Sequence, residues 1–281
     1  MNDRLLIDLL RLAPKNLYSH WLGRVSEVPI PRPLRTRILG LYAARFGAAV
    51  EEASLPLTEY PSLHAFFTRQ LAPGVRPVTD LPDGLVSPAD GRVAACGQVE
   101  ERQLLQVKGR RYSLHELLQE PAAEESLQRG SYATVYLAPG DYHRVHFPAG
   151  GEIVGYRYLP GTLFPVNPAG QRHVRDLYTI NERLVTHVAS PTLGRVSIVM
   201  VGALAVGRIS VSYAPIVTNA RTGHPAAQVT LSPPRPCQAG DELGVFHLGS
   251  TVVVICERPG LHPIVPEGNV VRMGQPLLVA G

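Results

Sequence analysis

A chain of 281 residues with 45% hydrophobic and 18% charged side chains is long enough for one sizeable core and too apolar to remain disordered. Its net charge of +4 comes from the first 50 residues, where eight Lys and Arg face three Asp and Glu; no nucleic-acid-binding motif accompanies them, so a nucleic-acid partner is excluded and an anionic membrane surface fits better. Three widely spaced cysteines, Cys96, Cys237 and Cys256, make neither a disulfide framework nor a zinc cluster, and a reducing compartment is expected.

The first predicted element is an amphipathic helix. Leu5, Leu6, Ile7, Leu9, Leu10 and Leu12 surround Arg4, Asp8, Arg11 and Lys15, which fall at i, i+4, i+7 and i+11. Pro14 disturbs its last turn and should leave Lys15 just beyond the regular helix. The charges interrupt the apolar run, so the segment is not a signal peptide. The most apolar stretch of the chain, Val196 to Val206, is far short of the ~20 residues a membrane span needs. Tyr18 and Trp21 follow the first helix. A second helix is predicted over Leu34–Phe46, with Leu34, Ile38, Leu41, Tyr42 and Phe46 on one side, and a third over Ser62–Arg69. Two readings of these helices stand level: a cap or dimer contact packed on protein, and an interfacial anchor lying on a bilayer.

From about residue 80 the pattern changes to short runs rich in Val, Ile and Tyr, punctuated by Gly, Pro or Asp. Strands are predicted at Leu85–Val86, Gly91–Ala95, Leu104–Val107, Tyr132–Leu137, Ile153–Tyr158, Val185–Val188, Arg195–Val201, Ala205–Tyr213, Leu243–Phe246 and Thr251–Cys256, with a helical turn or two at Leu114–Leu118. The expected fold is α+β: a helical N-terminal region, residues 1–75, followed by a β-rich catalytic domain, residues 76–281, built as a sandwich or barrel.

Three segments carry residues with chemical potential. Asp90 lies in Ser87-Pro88-Ala89-Asp90-Gly91, where Asp-Gly is first of all a turn signal; a carboxylate there also suits orienting an imidazole. His143 and His146 stand three apart in Asp141-Tyr142-His143-Arg144-Val145-His146. They read equally as loop histidines, catalytic groups or metal ligands, and His173, His187 and Asp176 lack the spacing of a persuasive third ligand. Leu248-Gly249-Ser250-Thr251 precedes an apolar strand and reads as a turn. Its alternative is self-cleavage: Gly249 lacks a Cβ, so its carbonyl tolerates unusual geometry, and the Ser250 hydroxyl can attack it if a base is near.

Taken in order, these segments resemble the bacterial phosphatidylserine decarboxylase family. The resemblance runs through Phe66-Phe67-Thr68-Arg69, Pro88-Ala89-Asp90-Gly91, Lys108-Gly109, Asp141 to His146, Pro160 to Asn167, Asn181-Glu182-Arg183, Val201-Gly202-Ala203, Leu248 to Thr251 and Gly274-Gln275-Pro276-Leu277. It implies that Asp90, His146 and Ser250 form a self-processing triad that cuts between Gly249 and Ser250, leaving chains 1–249 and 250–281. It implies that Ser250 becomes a covalent pyruvoyl cofactor, an electron sink for decarboxylation, and that His143 is the acid/base group of that second reaction. No metal is implied. The implied substrate is phosphatidylserine in a membrane, the product phosphatidylethanolamine, and the implied location the cytoplasmic face of the inner membrane, held peripherally; a homodimer is compatible with the resemblance. A lipid substrate shifts the N-terminal helices towards the anchor reading. The rival readings are a metallohydrolase, a β-rich carrier module, and a pyruvoyl enzyme acting on a soluble amino acid.

Overall fold

Thr251-Val252-Val253-Val254-Ile255 is a run with no polar face, and such a run makes a strand covered on both sides. In the computed structural model it does: Ser250–Cys256 is a central strand in which every residue is buried. The structure describes residues 7–10, 15–107, 109–204, 208–219, 226–247 and 250–281, without the side chains of residues 16 and 17. Arg4 and Arg11 of the predicted polar stripe, Lys108, Ala205 to Gly207 of a predicted strand, and Leu248 with Gly249 of the cleavage motif lie outside the described residues.

The helices are α1 (Lys15–Glu27), α2 (Arg32–Phe46), α3 (Leu63–Phe67), α4 (Leu114–Leu118), α5 (Pro121–Leu127), α6 (Pro168–His173) and α7 (Leu177–Ile180). The strands are β1 (Leu85–Val86), β2 (Gly91–Gln98), β3 (Gln103–Val107), β4 (Arg110–Ser113), β5 (Ser131–Leu137), β6 (Arg144–His146), β7 (Gly151–Leu159) and β8 (Arg183–Ser190). They continue with β9 (Gly194–Val201), β10 (Ile209–Val211), β11 (Ala227–Cys237), β12 (Glu242–Phe246), β13 (Ser250–Cys256), β14 (Leu261–Pro263), β15 (Val270–Val271) and β16 (Pro276–Ala280). Eight of them form one open sheet in the order β11-β7-β8-β9-β13-β5-β2-β15, and every pair in it is antiparallel. Smaller sheets, β10-β12-β6 and β1-β16-β14, accompany it. The fold is therefore α+β and sheet-rich, and of the two predicted architectures the closed barrel is not formed.

Most predicted strands recur with slightly longer bounds. The structure adds β11, which sequence patterning passes over because it contains Pro233, Pro234 and Pro236. It tolerates them as an edge strand with a register break between Thr230 and Arg235. The expected strand Ala205–Tyr213 is shorter where described, spanning Ile209–Val211.

The N-terminal region departs further from expectation. Residues 7–10 are helical, but Lys15 opens a new helix rather than trailing the first, and it is buried, with Nζ donating to the Leu10 carbonyl and lying 4.3 Å from the Phe164 ring. Ile7 packs into the main core. On α2 the residues that bury are Leu39 and Ala43, which join Tyr60 and Phe66 in a second small core. Most of the predicted stripe is left outward: Leu34, Ile38, Leu41 and Phe46 are exposed, while Tyr42 is partly buried against the small core. The reason is that α2 is apolar on two faces, and its own chain covers only one.

Candidate active site

Ser250 is fixed by the sheet. It opens β13 opposite Leu137 of β5. The next pairs along the same strands are Thr251 with Tyr136 and with Val201, Arg92 with Tyr136, and Arg183 with Val201. Continued by one residue, these registers align Gly91, Leu137, Ser250, Gly202 and Glu182 in a single row across five strands. The Gly202 amide donates to the Glu182 carbonyl at 2.8 Å, so the row holds past the end of β9. Neighbours in such a row stand about 4.8 Å apart and direct side chains to one face. Gly91 is required by close approach, since a Cβ there would lie 2.3 Å from the Tyr136 carbonyl oxygen.

The Ser250 side chain is fully buried and, among the described residues, its Oγ has no hydrogen-bond partner. It forms part of the wall of a cavity of about 720 Å³. The other walls are apolar side chains of α1, α2 and α3, such as Val25, Ile38, Phe46 and Phe67, with Leu137 and Val166 from the core. An unpartnered hydroxyl on an apolar wall costs stability, roughly 1–3 kcal/mol for the lost hydrogen bond, and such expense is characteristic of groups kept for chemistry.

His143 lies immediately before β6 and is fully buried. Its Nδ1 is hydrogen-bonded to the Asp141 carbonyl at 2.8 Å, its ring sits 3.8 Å from the Phe67 ring centre, and Nε2 has no partner. Burial pushes this imidazole down to about 3, so it is neutral at physiological pH. Its carbonyl accepts from the Phe246 amide, four residues before Ser250. The chain that carries His143 thus runs beside both strand ends that frame the serine.

His146 closes β6. Its Nδ1 contacts the Gly240 carbonyl at 2.8 Å and its Nε2 the Tyr142 hydroxyl at 3.2 Å. Burial lowers its pKa, with the Gly240 hydrogen bond and the carboxylates of Glu242 and Asp90 pulling the other way. Asp90 is one residue before the Gly91 end of the row. Its carboxylate takes two hydrogen bonds from Arg76 Nε, another from Arg76 Nη2, and one from the Met273 amide at 2.8 Å. Arg76 in turn binds Glu52. His146 and Arg76 face a second, smaller cavity of about 280 Å³ together with Tyr142 and Glu242. Among the described residues no hydrogen bond joins Asp90, His146 and Ser250; Asp90 and His146 share one neighbourhood, while Ser250 lines the apolar cavity and His143 packs against Phe67, which lines it too. Gly249 lies outside the described residues.

Three residues of this site are given no role by sequence reasoning. Arg76 is one. His247 is another: its Nδ1 is hydrogen-bonded to His64 Nε2 at 2.9 Å and its Nε2 to Ser210 Oγ at 2.9 Å, tying α3 to the segment entering Ser250. The third is Glu182, whose position at the far end of the row only the sheet register reveals. The metal-ligand reading of the histidines finds no support in position: His187 is engaged by Ser197 and Glu120. Among the described residues no group of three or more His, Cys, Asp or Glu is placed to hold a metal, and the three cysteines are free thiols.

The family model described as phosphatidylserine decarboxylase matches residues 63–279. The chain is 43% identical to a phosphatidylserine decarboxylase proenzyme of Anaeromyxobacter sp. (strain K), over 99% of both chains. It is 38% identical to the proenzyme of Myxococcus xanthus (strain DK1622), over 98% of both, and 39% identical to that of Brevibacillus brevis, over 99% of this chain and 98% of the relative.

Proposed function

Because the chain belongs to the phosphatidylserine decarboxylase family and is thus a decarboxylase, we propose that it is a self-processing enzyme that converts phosphatidylserine to phosphatidylethanolamine and CO2 with a pyruvoyl group made from Ser250. The observation that carries this reading is Ser250 Oγ, buried without a partner on the wall of an apolar cavity.

In the processing step Oγ gives up its proton to His146 and bonds to the Gly249 carbonyl carbon, and the Gly249–Ser250 C–N bond breaks to leave an ester and a free amine. His146 reaches Oγ by exchanging its Tyr142 contact, while Asp90, held by Arg76, supplies the negative charge that favours the protonated imidazole. Loss of the Ser250 Cα proton then breaks the Cβ–Oγ bond, so Gly249 departs as a carboxylate. Water replaces the nitrogen of the resulting dehydroalanine, ammonia leaves, and a ketone stands at position 250. The products are chains of residues 1–249 and 250–281, with β13 holding the small one between β5 and β9.

The residues present suit that group: Ser250 stands on the wall of the apolar cavity, and the buried His143, its Nε2 without a hydrogen-bond partner among the described residues, offers a neutral imidazole. A pyruvoyl group there would draw off the electrons left by departing CO2. His143 is the proton carrier of this half-reaction, its tautomer set by the Asp141 carbonyl.

The cavity is sized and lined for acyl chain, and the surface around it supports peripheral attachment to a bilayer, which the family resemblance would place at the cytoplasmic face of the inner membrane. Trp21 is 67% exposed and Leu41 66%, with Tyr18, Val25, Val28, Leu34 and Ile38 also uncovered. Among the described residues no helix is long and apolar enough to cross a bilayer. Insertion of the apolar face at roughly 1.5–3 kcal/mol per fully buried side chain, with ~1 kcal/mol per nearby basic residue, suffices for reversible binding. On this reading residues 1–75 are the membrane-associating unit and 76–281 the catalytic one.

Denaturing electrophoresis tests the proposal. Purified wild-type protein should run as two chains and the Ser250→Ala variant as one; a single intact band from decarboxylating wild type would remove the basis of the cofactor.

A further inference from the structure

Glu182 is 4% exposed and bears a carboxyl group whose two oxygens are treated differently. Oε1 accepts from the Tyr158 hydroxyl at 2.5 Å and from the Asn219 amide at 2.9 Å. Oε2 is buried and makes no hydrogen bond within ordinary distance among the described residues, although the Thr218 side chain also pulls on the carboxyl group. Such an oxygen is expensive to keep.

The sheet register says where it points. Glu182 stands in the row Glu182, Gly202, Ser250, so one strand separates it from the serine. The residue on that strand is glycine. A Cβ at Gly202 would lie 3.8 Å from Glu182 Oε2 and 3.2 Å from Leu163 Cδ2. Oε2 and the Leu163 side chain therefore both lie over Gly202, and no side chain of the row itself stands between the carboxyl and position 250. In-register Cβ positions on adjacent strands are about 5 Å apart, which with the 3.8 Å above puts Oε2 within about 9 Å of the Ser250 Cβ. Ala203 and Leu204, which follow Gly202, line the apolar cavity together with Ser250.

We propose that Glu182 is the receptor for the amino group of the lipid substrate: it holds the ammonium beside position 250 and takes its proton onto Oε2, leaving a free amine pair directed at that position. The inference rests on the pyruvoyl reading of Ser250. The transfer is balanced, since ammonium and carboxylate become amine and carboxylic acid with no other reactant. Burial pushes the Glu182 carboxyl up to about 7, against the pull of Tyr158, the Asn219 amide and Thr218, which makes it a better proton acceptor than an ordinary carboxylate. The site also selects: a headgroup with phosphate but no amine leaves Oε2 unpaired, while an amine satisfies it.

The test uses the processed protein and two short-chain lipids titrated by calorimetry, phosphatidylethanolamine, which carries the amine and has no carboxylate to lose, and phosphatidylglycerol, which lacks the amine. Glu182→Gln preserves the shape and the Oε1 acceptor, so it should fold and be cut into two chains like wild type. It should bind short-chain phosphatidylethanolamine about tenfold or more weakly, as expected for loss of a buried charged hydrogen bond, and bind phosphatidylglycerol as wild type does. Unchanged phosphatidylethanolamine affinity, or an equal loss for both lipids, overturns the proposal. If wild type proves uncut, the pyruvoyl reading fails by itself, and the same titration on the intact chain still decides whether Glu182 holds an amine.

Discussion

The N-terminal helices and the central sheet break the usual rule of burial in opposite ways. On α1 and α2 apolar side chains are left in the open, Trp21 and Leu41 most of all. In the sheet and the loops at its edge, polar atoms are buried without partners: Ser250 Oγ, His143 Nε2 and Glu182 Oε2. Each region by itself is poorly designed for stability. Together they make sense, because the cavity between them has the exposed helices on one side and Ser250 on the other. The helices need an apolar solvent and the sheet needs a polar guest, and one phospholipid supplies both.

That contrast can be broken from the sheet side with the largest effect. His143→Ala should still be cleaved into two chains, yet lose CO2 release by about 10²-fold or more, the usual worth of a positioned proton carrier. Counting released CO2 against chain separation on the same sample checks it; normal decarboxylation would show that the two histidines do not divide the work.

A smaller effect should appear in stability. The folded value for Glu182 lies above that of an ordinary carboxyl, so the fold favours its protonated form. Its contribution is intact below the ordinary carboxyl range and is lost as pH rises through about 7. Glu182→Gln stays neutral throughout, so its melting temperature should gain on wild type between pH 4.5 and pH 8. A difference that is flat or runs the other way would place a charge partner beside the carboxyl.

The helix side should give the smallest change. Trp21→Glu touches a side chain that is two-thirds exposed, so thermal stability should move by no more than about 0.5 kcal/mol. Sedimentation with anionic vesicles should show affinity reduced about tenfold. A loss of stability in its place would mean that Trp21 packs on protein.

How much of this was legible in the sequence depended on whether the signal was local. The strand Thr251–Cys256 declared itself through the apolar run Val252 to Ile255, and Ser250 was marked by standing at its head. The α2 helix was legible as a helix, while its buried face was not, since apolar residues on two sides give no preference until the rest of the chain covers one. β11 was invisible because prolines in sequence argue against a strand, and only edge position and a register break make them harmless. Asp90 could be singled out beside its turn, but its ion pair with Arg76, fourteen residues away, could not. Glu182 was quoted within a motif without a role, because its role comes from a row of five strands that meet only in three dimensions. The family resemblance covered what no local pattern could: the order of the parts.

The central claim is that the bond before Ser250 is cut and the serine itself becomes the cofactor. Mass spectrometry of the small chain tests it most directly. The account predicts a fragment of residues 250–281 that begins with a pyruvoyl group and has no free N-terminal amine. An N-terminal serine at position 250, or a chain that remains whole in active protein, would contradict it.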